Sequence, residues 1–359
     1  MILQNFKTAI SAIKKIQVPF FSSFRAYFDL GTSNTRIGIV RKGIVFREPT
    51  FVGFNTKTKE YIFFGKEAKT IQGKTPNFLS IIQPITGGVV ADFDAAVALL
   101  RKNIEIALKP YLEQYPIVQP PIYSVATIPT IATEIERKAV EEALQKSGCS
   151  QVTLIERAIA TAAGAGADIF SHDPQMIIDL GGGLFEISII SGGGIVGQKV
   201  IKNAGDNMNK IIANYMYLKN GIVLGENTCE KLKIELLNFS DEQKSEIVRG
   251  KSLESGLPKT INIKTTDVRE ALISQFHHVI DAARELIEAS QPEVADAIFR
   301  KGIALTGKLA GVAQIAEYFS KELKIDTYVA EQFADATMYG MMRLDNDPKA
   351  LQSIATPTY

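Results

Sequence analysis

A short pattern built around an acidic residue occurs twice in this chain. Residues 27–40 read YFDLGTSNTRIGIV and residues 177–190 read IIDLGGGLFEISII. Set against each other at an offset of 150, they share Asp, Leu, Gly and two Ile in one frame. Each frame is an apolar strand, an Asp, a glycine-bearing turn and a second apolar strand. A repeat this far apart predicts two similar domains, each opening with a β-hairpin. At 359 residues the chain is long enough for two lobes with a core apiece.

The turns carry the chemistry. Gly31, Gly181, Gly182 and Gly183 permit positive φ and let backbone N–H groups approach an anion closely. Thr32, Ser33 and Asn34 add short donors beside the first turn. Asp29 and Asp179 repel phosphate themselves, but they suit a hydrated Mg²⁺ that binds it. Two such hairpins facing one another describe a nucleotide clamp. The surrounding pattern agrees with α/β layers: runs such as IYSVATIP, MIIDL and GIALTG alternate with helical stretches such as TEIERKAVEEALQKSG. Thr133 with Glu136 predicts a capping box at the start of that helix, and Gly148 its end.

Composition excludes several classes. A formal charge of +1 and 46% hydrophobic residues fit neither a basic nucleic-acid binder nor an acidic disordered chain. Cys149 and Cys229 are the only cysteines, which predicts no disulfide framework and suits a reducing compartment. His172, His277 and His278 show no zinc spacing, and the adjacent pair reads as surface or packing residues. No apolar run approaches the ~20 residues needed to span a bilayer. The first residues carry a different signal. Ile2, Leu3, Phe6, Ile10, Ile13 and Ile16 follow the rhythm of one helical face, lysines and polar residues fill the other, and Pro19 stops the pattern. That is the form of an in-plane membrane anchor over residues 1–18; docking on the protein body is the competing reading. One such helix binds weakly, so anchoring requires many copies together.

On these paired motifs the chain resembles the actin, sugar-kinase and heat-shock chaperone superfamily, and most closely the MreB family of bacterial actin-like cell-shape proteins. The resemblance runs in order through GIVFREPTFVGF, GKEAKTIQGKTPNFLSIIQPITGGVVADFD, SVATIPTIATEIERKAVEEAL, IIDLGGG, GENTCEKLKIEL, VRGKSLESGLPKTINI and KGIALTGKLAGV. It implies an α/β, actin-like (ribonuclease H-like) duplicated fold: two lobes, each a central mixed sheet flanked by helices, with a nucleotide cleft between them. It divides the chain into subdomain IA (26–54, 88–167 and 335–347), IB (55–87), IIA (168–204 and 270–334) and IIB (205–269), with a tail at 348–359 whose end reads as disordered. It also implies ATP or ADP with Mg²⁺, head-to-tail filaments, and a cytoplasmic location, peripheral on the inner face of the membrane. The partners implied are a second copy, the membrane surface, a hydrolysis-competent paralogue and cell-wall or division membrane proteins, with no nucleic acid.

Carried over residue by residue, the resemblance assigns Gly205 and Asp206 to a loop near the phosphates. It assigns Glu230 and Lys233, one helical turn apart, to the ribose and adenine, and Gly307 to the strand end beneath them. Three places depart from the family pattern. Arg157 stands where a water-positioning carboxylate is usual, leaving Glu156 as the nearest catalytic candidate. Leu184 and Phe185 replace hydroxyl residues after the glycines, so both are expected to dry the site. Lys308 and Leu309 replace glycines, and either obstruct the nucleotide or, through Lys308, reach its phosphates. These departures predict weak or absent hydrolysis, because positioning and electrostatics supply most of the acceleration in phosphoryl transfer. A monomeric or co-polymerising pseudo-ATPase scaffold is the alternative. A superfamily kinase needs a substrate insertion that is not seen, and a chaperone needs a domain beyond the region of resemblance.

Overall fold

The computed structural model describes residues 24–113, 115 and 119–355. The anchor residues Ile2 to Ile16 lie outside that range.

The repeat in the sequence is a repeat in topology. The first lobe is centred on strands β1 (Phe24–Leu30), β2 (Asn34–Ile39) and β3 (Gly43–Pro49), which pair antiparallel in succession. A small satellite sheet follows, made of β4 (Val52–Asn55), β5 (Glu60–Phe64) and β6 (Leu79–Ile82), with a ribbon of β7 (Ile85–Thr86) and β8 (Val89–Val90). Strands β9 (Ile122–Ile128) and β10 (Gln151–Glu156) then return to the other side of β1 as parallel neighbours, giving the order β10-β9-β1-β2-β3. The second lobe repeats this. Strands β11 (Gln175–Leu180), β12 (Leu184–Ser191) and β13 (Gly194–Lys202) form the antiparallel meander. The satellite strands β14 (Ile222–Val223), β15 (Ser245–Ser252) and β16 (Pro258–Lys264) come next. Finally β17 (Ile303–Thr306) and β18 (Thr327–Val329) return parallel, giving β13-β12-β11-β17-β18.

Parallel neighbours need crossover helices, and covering both faces of a sheet requires strands apolar on both sides. Accordingly Ala26 to Leu30 are all buried in β1, and all of β17 is buried. The helix Glu134–Lys146 starts where expected: Thr133 and Glu136 form a complete capping box, and Gly148 takes φ +115° just past its end. His277 and His278 are exposed on the helix Thr265–Glu288.

Each lobe has its own apolar core, and a third cluster joins them. In the joint, the helix Arg157–Gly164 packs on the helix Ala336–Asp345, with Tyr27 and Ile177 from the two sheets beneath. The approach is so close that a Cβ at Gly164 would overlap the Ala336 carbonyl oxygen, and one at Gly340 that of Ala160.

The subdomain divisions expected at residues 55 and 270 fall within elements: β4 spans Val52–Asn55, and a helix spans Thr265–Glu288. The tail departs more. Pro348–Ile354 is a helix, capped by Asp347, whose Leu351 and Ile354 are buried in the joint cluster. Those two apolar residues at i, i+3 find a face to cover, which explains the order that composition alone did not suggest.

Candidate functional site

The tips of the two hairpins meet in the cleft. In β1 and β2, Asp29 lies opposite Arg36; in β11 and β12, Asp179 lies opposite Glu186. The leading glycines occupy equivalent places to atomic detail. A Cβ at Gly31 would sit 2.6 Å from the Asn34 carbonyl oxygen, and one at Gly181 would sit 2.7 Å from that of Leu184. None of Gly31, Gly181, Gly182 and Gly183 uses the positive φ that glycine permits. What excludes a side chain there is proximity. Side chains at Gly182 and Gly183 would overlap Ser33 Oγ and Thr32 Oγ1 of the other lobe.

Polar groups link the same tips. Ser33 Oγ donates to Asp206 Oδ1 at 2.6 Å, and Gln83 Nε2 donates to the Thr32 carbonyl at 2.8 Å. The helix Gly205–Asn220 is tied to the second turn through the N–H groups of Gly205 and Asp206, which donate to the Gly181 and Gly182 carbonyls at 3.2 and 2.8 Å. Among the described residues, the N–H groups of Thr32, Ser33, Gly182 and Gly183 donate to no backbone carbonyl. Free N–H groups on facing turns form a cradle of the kind that holds phosphate.

Behind the tips lies a cavity of about 650 Å³, lined by both turns together with Asp206, Glu230, Lys233, Gly307, Lys308 and Phe333. That volume falls within the range of small-molecule sites. Gly307, at φ +82°, runs so close to Leu180 that a Cβ would strike its carbonyl oxygen. Glu230 is engaged by Lys69 Nζ at 2.7 Å, which joins the two satellite subdomains across the cleft. Lys233 Nζ donates to the Gly205 carbonyl at 2.6 Å; burial holds its pKa below the usual lysine range against the pull of Asp206 and Glu230. Lys308 and Leu309 line the cavity wall and leave its volume open. Lys308 forms no ion pair among the described residues, and burial, then the nearby Arg36 and Arg47, push its pKa down.

The two aspartates part company. Asp29 is fully buried and does not line the cavity. Arg36 approaches it at 2.5 Å and Arg157 at 3.1 Å. Burial alone would raise its pKa, but these two guanidinium groups outweigh it and hold the carboxyl below its usual range. Asp179 lines the cavity and accepts from Thr306 Oγ1 at 3.1 Å. Here burial wins over Arg157 and the Thr306 hydrogen bond, with the Asp29 charge adding to it, so its pKa is raised. A shared ion between two carboxylates is therefore not what this arrangement offers. Asp179 alone presents itself to the cavity.

Strand and helix geometry also redistributes the catalytic candidates. Glu156 ends β10, pairs with Arg137 at 3.6 Å and is absent from the cavity wall, whereas Arg157, beginning the next helix, is on it. Successive residues of a strand face opposite ways. Hence Leu184 and Glu186 line the cavity, while Phe185 is buried in the second lobe's core and does not dry the site. Glu186 was not singled out from sequence. Only 3% exposed, it sits 3.8 Å from Arg157 Nε, and burial lifts its pKa to about 7 despite that arginine, with the Asp179 charge in support. Its signal lay in the repeat itself, for at the offset of 150 it aligns with Arg36.

Two lobes of identical strand order, hinged by paired helices over a shared cleft, define an actin-like protein. Similarity to solved structures agrees. MreB5 of Spiroplasma citri bound to ADP superposes with a TM-score of 0.85 at 30% identity, covering 93% of this chain and 98% of that one. The same protein bound to AMPPNP gives 0.84 at 29% identity, with 92% and 98% covered. The MamK double helical filament shares the fold, with a TM-score of 0.73 at 17% identity over 90% and 99%. In sequence, the MreB/Mbl protein family matches residues 25–353. The cell shape-determining protein Mbl of Bacillus subtilis is 35% identical over 324 residues, 89% of this chain and 96% of that one. The cell shape-determining protein MreB of Haemophilus influenzae is 34% identical over 311 residues, covering 84% and 87%. This chain belongs to the MreB/Mbl family of actin-like cell-shape proteins.

Proposed function

We propose that this chain is a cytoskeletal subunit that binds ATP or ADP with Mg²⁺ in the cleft, polymerises head-to-tail and lies against the inner face of the membrane. The observation that carries the nucleotide reading is the cradle of free N–H groups between the hairpin turns, where a side chain at Gly182 or Gly183 would overlap Ser33 Oγ or Thr32 Oγ1. Gly31 to Asn34 and Gly181 to Gly183 would hold the phosphates, with Gly205, Asp206, Gly307 and Lys308 around them; Glu230 and Lys233 would face the ribose and base. A bound Mg²⁺ would supply charge neutralisation for the phosphates, and Asp179, which lines the cavity, would hold it through water. Asp29 instead holds Arg36 and Arg157 in position.

Slow hydrolysis follows from what surrounds the second turn. Leu184 offers no hydrogen bond where a hydroxyl would, Arg157 takes the place of a carboxylate, and Glu156 points elsewhere. Head-to-tail contacts between identical subunits give open filaments without catalysis. Membrane attachment is assigned to residues 2–16, on their sequence pattern. Among the described residues no helix is long and apolar enough to cross a membrane. The relatives named for cell shape and the neighbour bound to ADP and AMPPNP support the same reading.

The test is calorimetric titration with ATP and Mg²⁺, followed by electron microscopy on lipid vesicles with and without nucleotide. Micromolar binding and membrane-bound filaments are expected. Absence of binding removes the nucleotide reading, and single particles in place of filaments favour the monomeric or co-polymerising pseudo-ATPase scaffold.

A further inference from the structure

Glu186 is a buried carboxylate on the cavity wall with most of its acceptor capacity unused. Both of its oxygens are buried, and apart from the Thr130 backbone N–H beside it neither meets a donor in good hydrogen-bond geometry among the described residues. A carboxylate offers about four acceptor sites, so a buried one with a single backbone donor beside it has room for a further donor from the cavity. The nearest cation, Arg157 Nε, stands at 3.8 Å, beyond hydrogen-bond reach. Strand alternation carries Glu186 to the same face of β12 as Leu184, and both line the cavity with the glycine turn.

We infer that Glu186 is the catalytic residue that holds the attacking water for a slow ATP hydrolysis, in place of the carboxylate that Arg157 displaces. The inference rests on the reading that ATP occupies the cleft. In the reaction the water oxygen bonds to the γ phosphorus while the bond from that phosphorus to the bridging oxygen breaks. The electron pair leaves on ADP, and the water's surplus proton passes to solvent. Glu186 accepts a hydrogen bond from the water and orients its lone pair. Leu184, two residues before it, supplies no competing acceptor, and Arg157 fixes the carboxylate from the side.

The experiment compares Glu186→Gln with the unsubstituted full chain in three measurements: ATP affinity by calorimetry, phosphate release at saturating ATP, and Tm without nucleotide. Gln keeps the shape but turns a donor toward the water. The expected result is phosphate release reduced ~10- to 100-fold, in the range of losses on removing a positioned acid–base group. ATP affinity should hold within about two-fold, and Tm should stay within about 2 °C or rise, since a buried charge is gone. Glu186→Asp should recover part of the rate. If Glu186 serves only as the counterion of Arg157, Glu186→Gln lowers Tm and leaves release per bound ATP unchanged, which overturns the inference. A wild-type chain that binds ATP but releases no phosphate overturns it too. A chain that binds no ATP removes the underlying reading instead.

Discussion

The two hairpins are copies in backbone and opposites in charge. Gly31 and Gly181 press on equivalent carbonyls, and β1 and β11 sit at equivalent places in their sheets. Yet the residue across from Asp29 is Arg36, and the residue across from Asp179 is Glu186. A single reversal of charge thus separates a neutralised, fully buried aspartate from one left facing the cavity with a carboxylate neighbour. Duplication supplied the shape twice. The first copy became part of the floor, and the second kept an excess of negative charge that a bound cation would offset.

Substituting the two aspartates should break the resemblance most. Asp29→Asn leaves Arg36 with only Asp335 and Arg157 with only the more distant Glu186 as counterions, and is expected to cost about 3 kcal/mol, the lower end of the usual loss on removing one partner of a buried pair. Asp179→Asn should cost less than about 1 kcal/mol without nucleotide, because Asp179 already bears a desolvation penalty as an anion. It should instead weaken Mg²⁺-dependent ATP binding. Urea unfolding of both variants measures the contrast, and equal losses would refute the division of roles.

Glycine substitutions sharpen it next. Gly31→Ala meets backbone at the Asn34 carbonyl, whereas Gly182→Ala meets the end of the Ser33 side chain. Overpacking of this kind costs about 1–3 kcal/mol. Adding Ser33→Ala should rescue Gly182→Ala and leave Gly31→Ala unimproved in thermal denaturation. Lys308→Ala comes third. As a cavity-lining cation without an ion pair among the described residues, Lys308 is expected to contribute about 1.5 kcal/mol to ATP binding, roughly a ten-fold change in affinity, and to matter less for adenosine. A gain in affinity on removing it would establish obstruction in its place.

The smallest effect is in pH. The depressed pKa of Asp29 contributes stability that is present above its unfolded value of 3.8 and is lost as pH falls through the lower folded value. The raised pKa of Asp179 has the opposite sign. Its contribution is fully present below 3.8 and is lost as pH rises through the higher folded value. Acid titration of stability for Asp29→Asn against Asp179→Asn separates the two slopes, and parallel curves would contradict the assignment.

Much of this was legible in the residues themselves. The repeat at Asp29 and Asp179 announced two lobes, and Thr133 with Glu136 marked a helix start that the structure keeps. What sequence could not supply was direction. That Phe185 turns into the core while Glu186 turns to the cavity depends on where β12 begins, and one residue of register reverses it. Glu156 and Arg157 are neighbours in the chain, but a strand ends at one and a helix begins at the other, so they face separate spaces. Glycine permits positive φ, although at Gly182 and Gly183 it answers to hydroxyls some 150 residues away in the chain. The short helix Pro348–Ile354 was missed because its two buried residues make no pattern long enough to read.

At Gly164 and Gly340 the helices of the joint meet main chain to main chain, with no side chains meshed between them at that crossing. Putting a methyl group into either position would force the two helices apart, and a subunit so altered should be loosened along its seam.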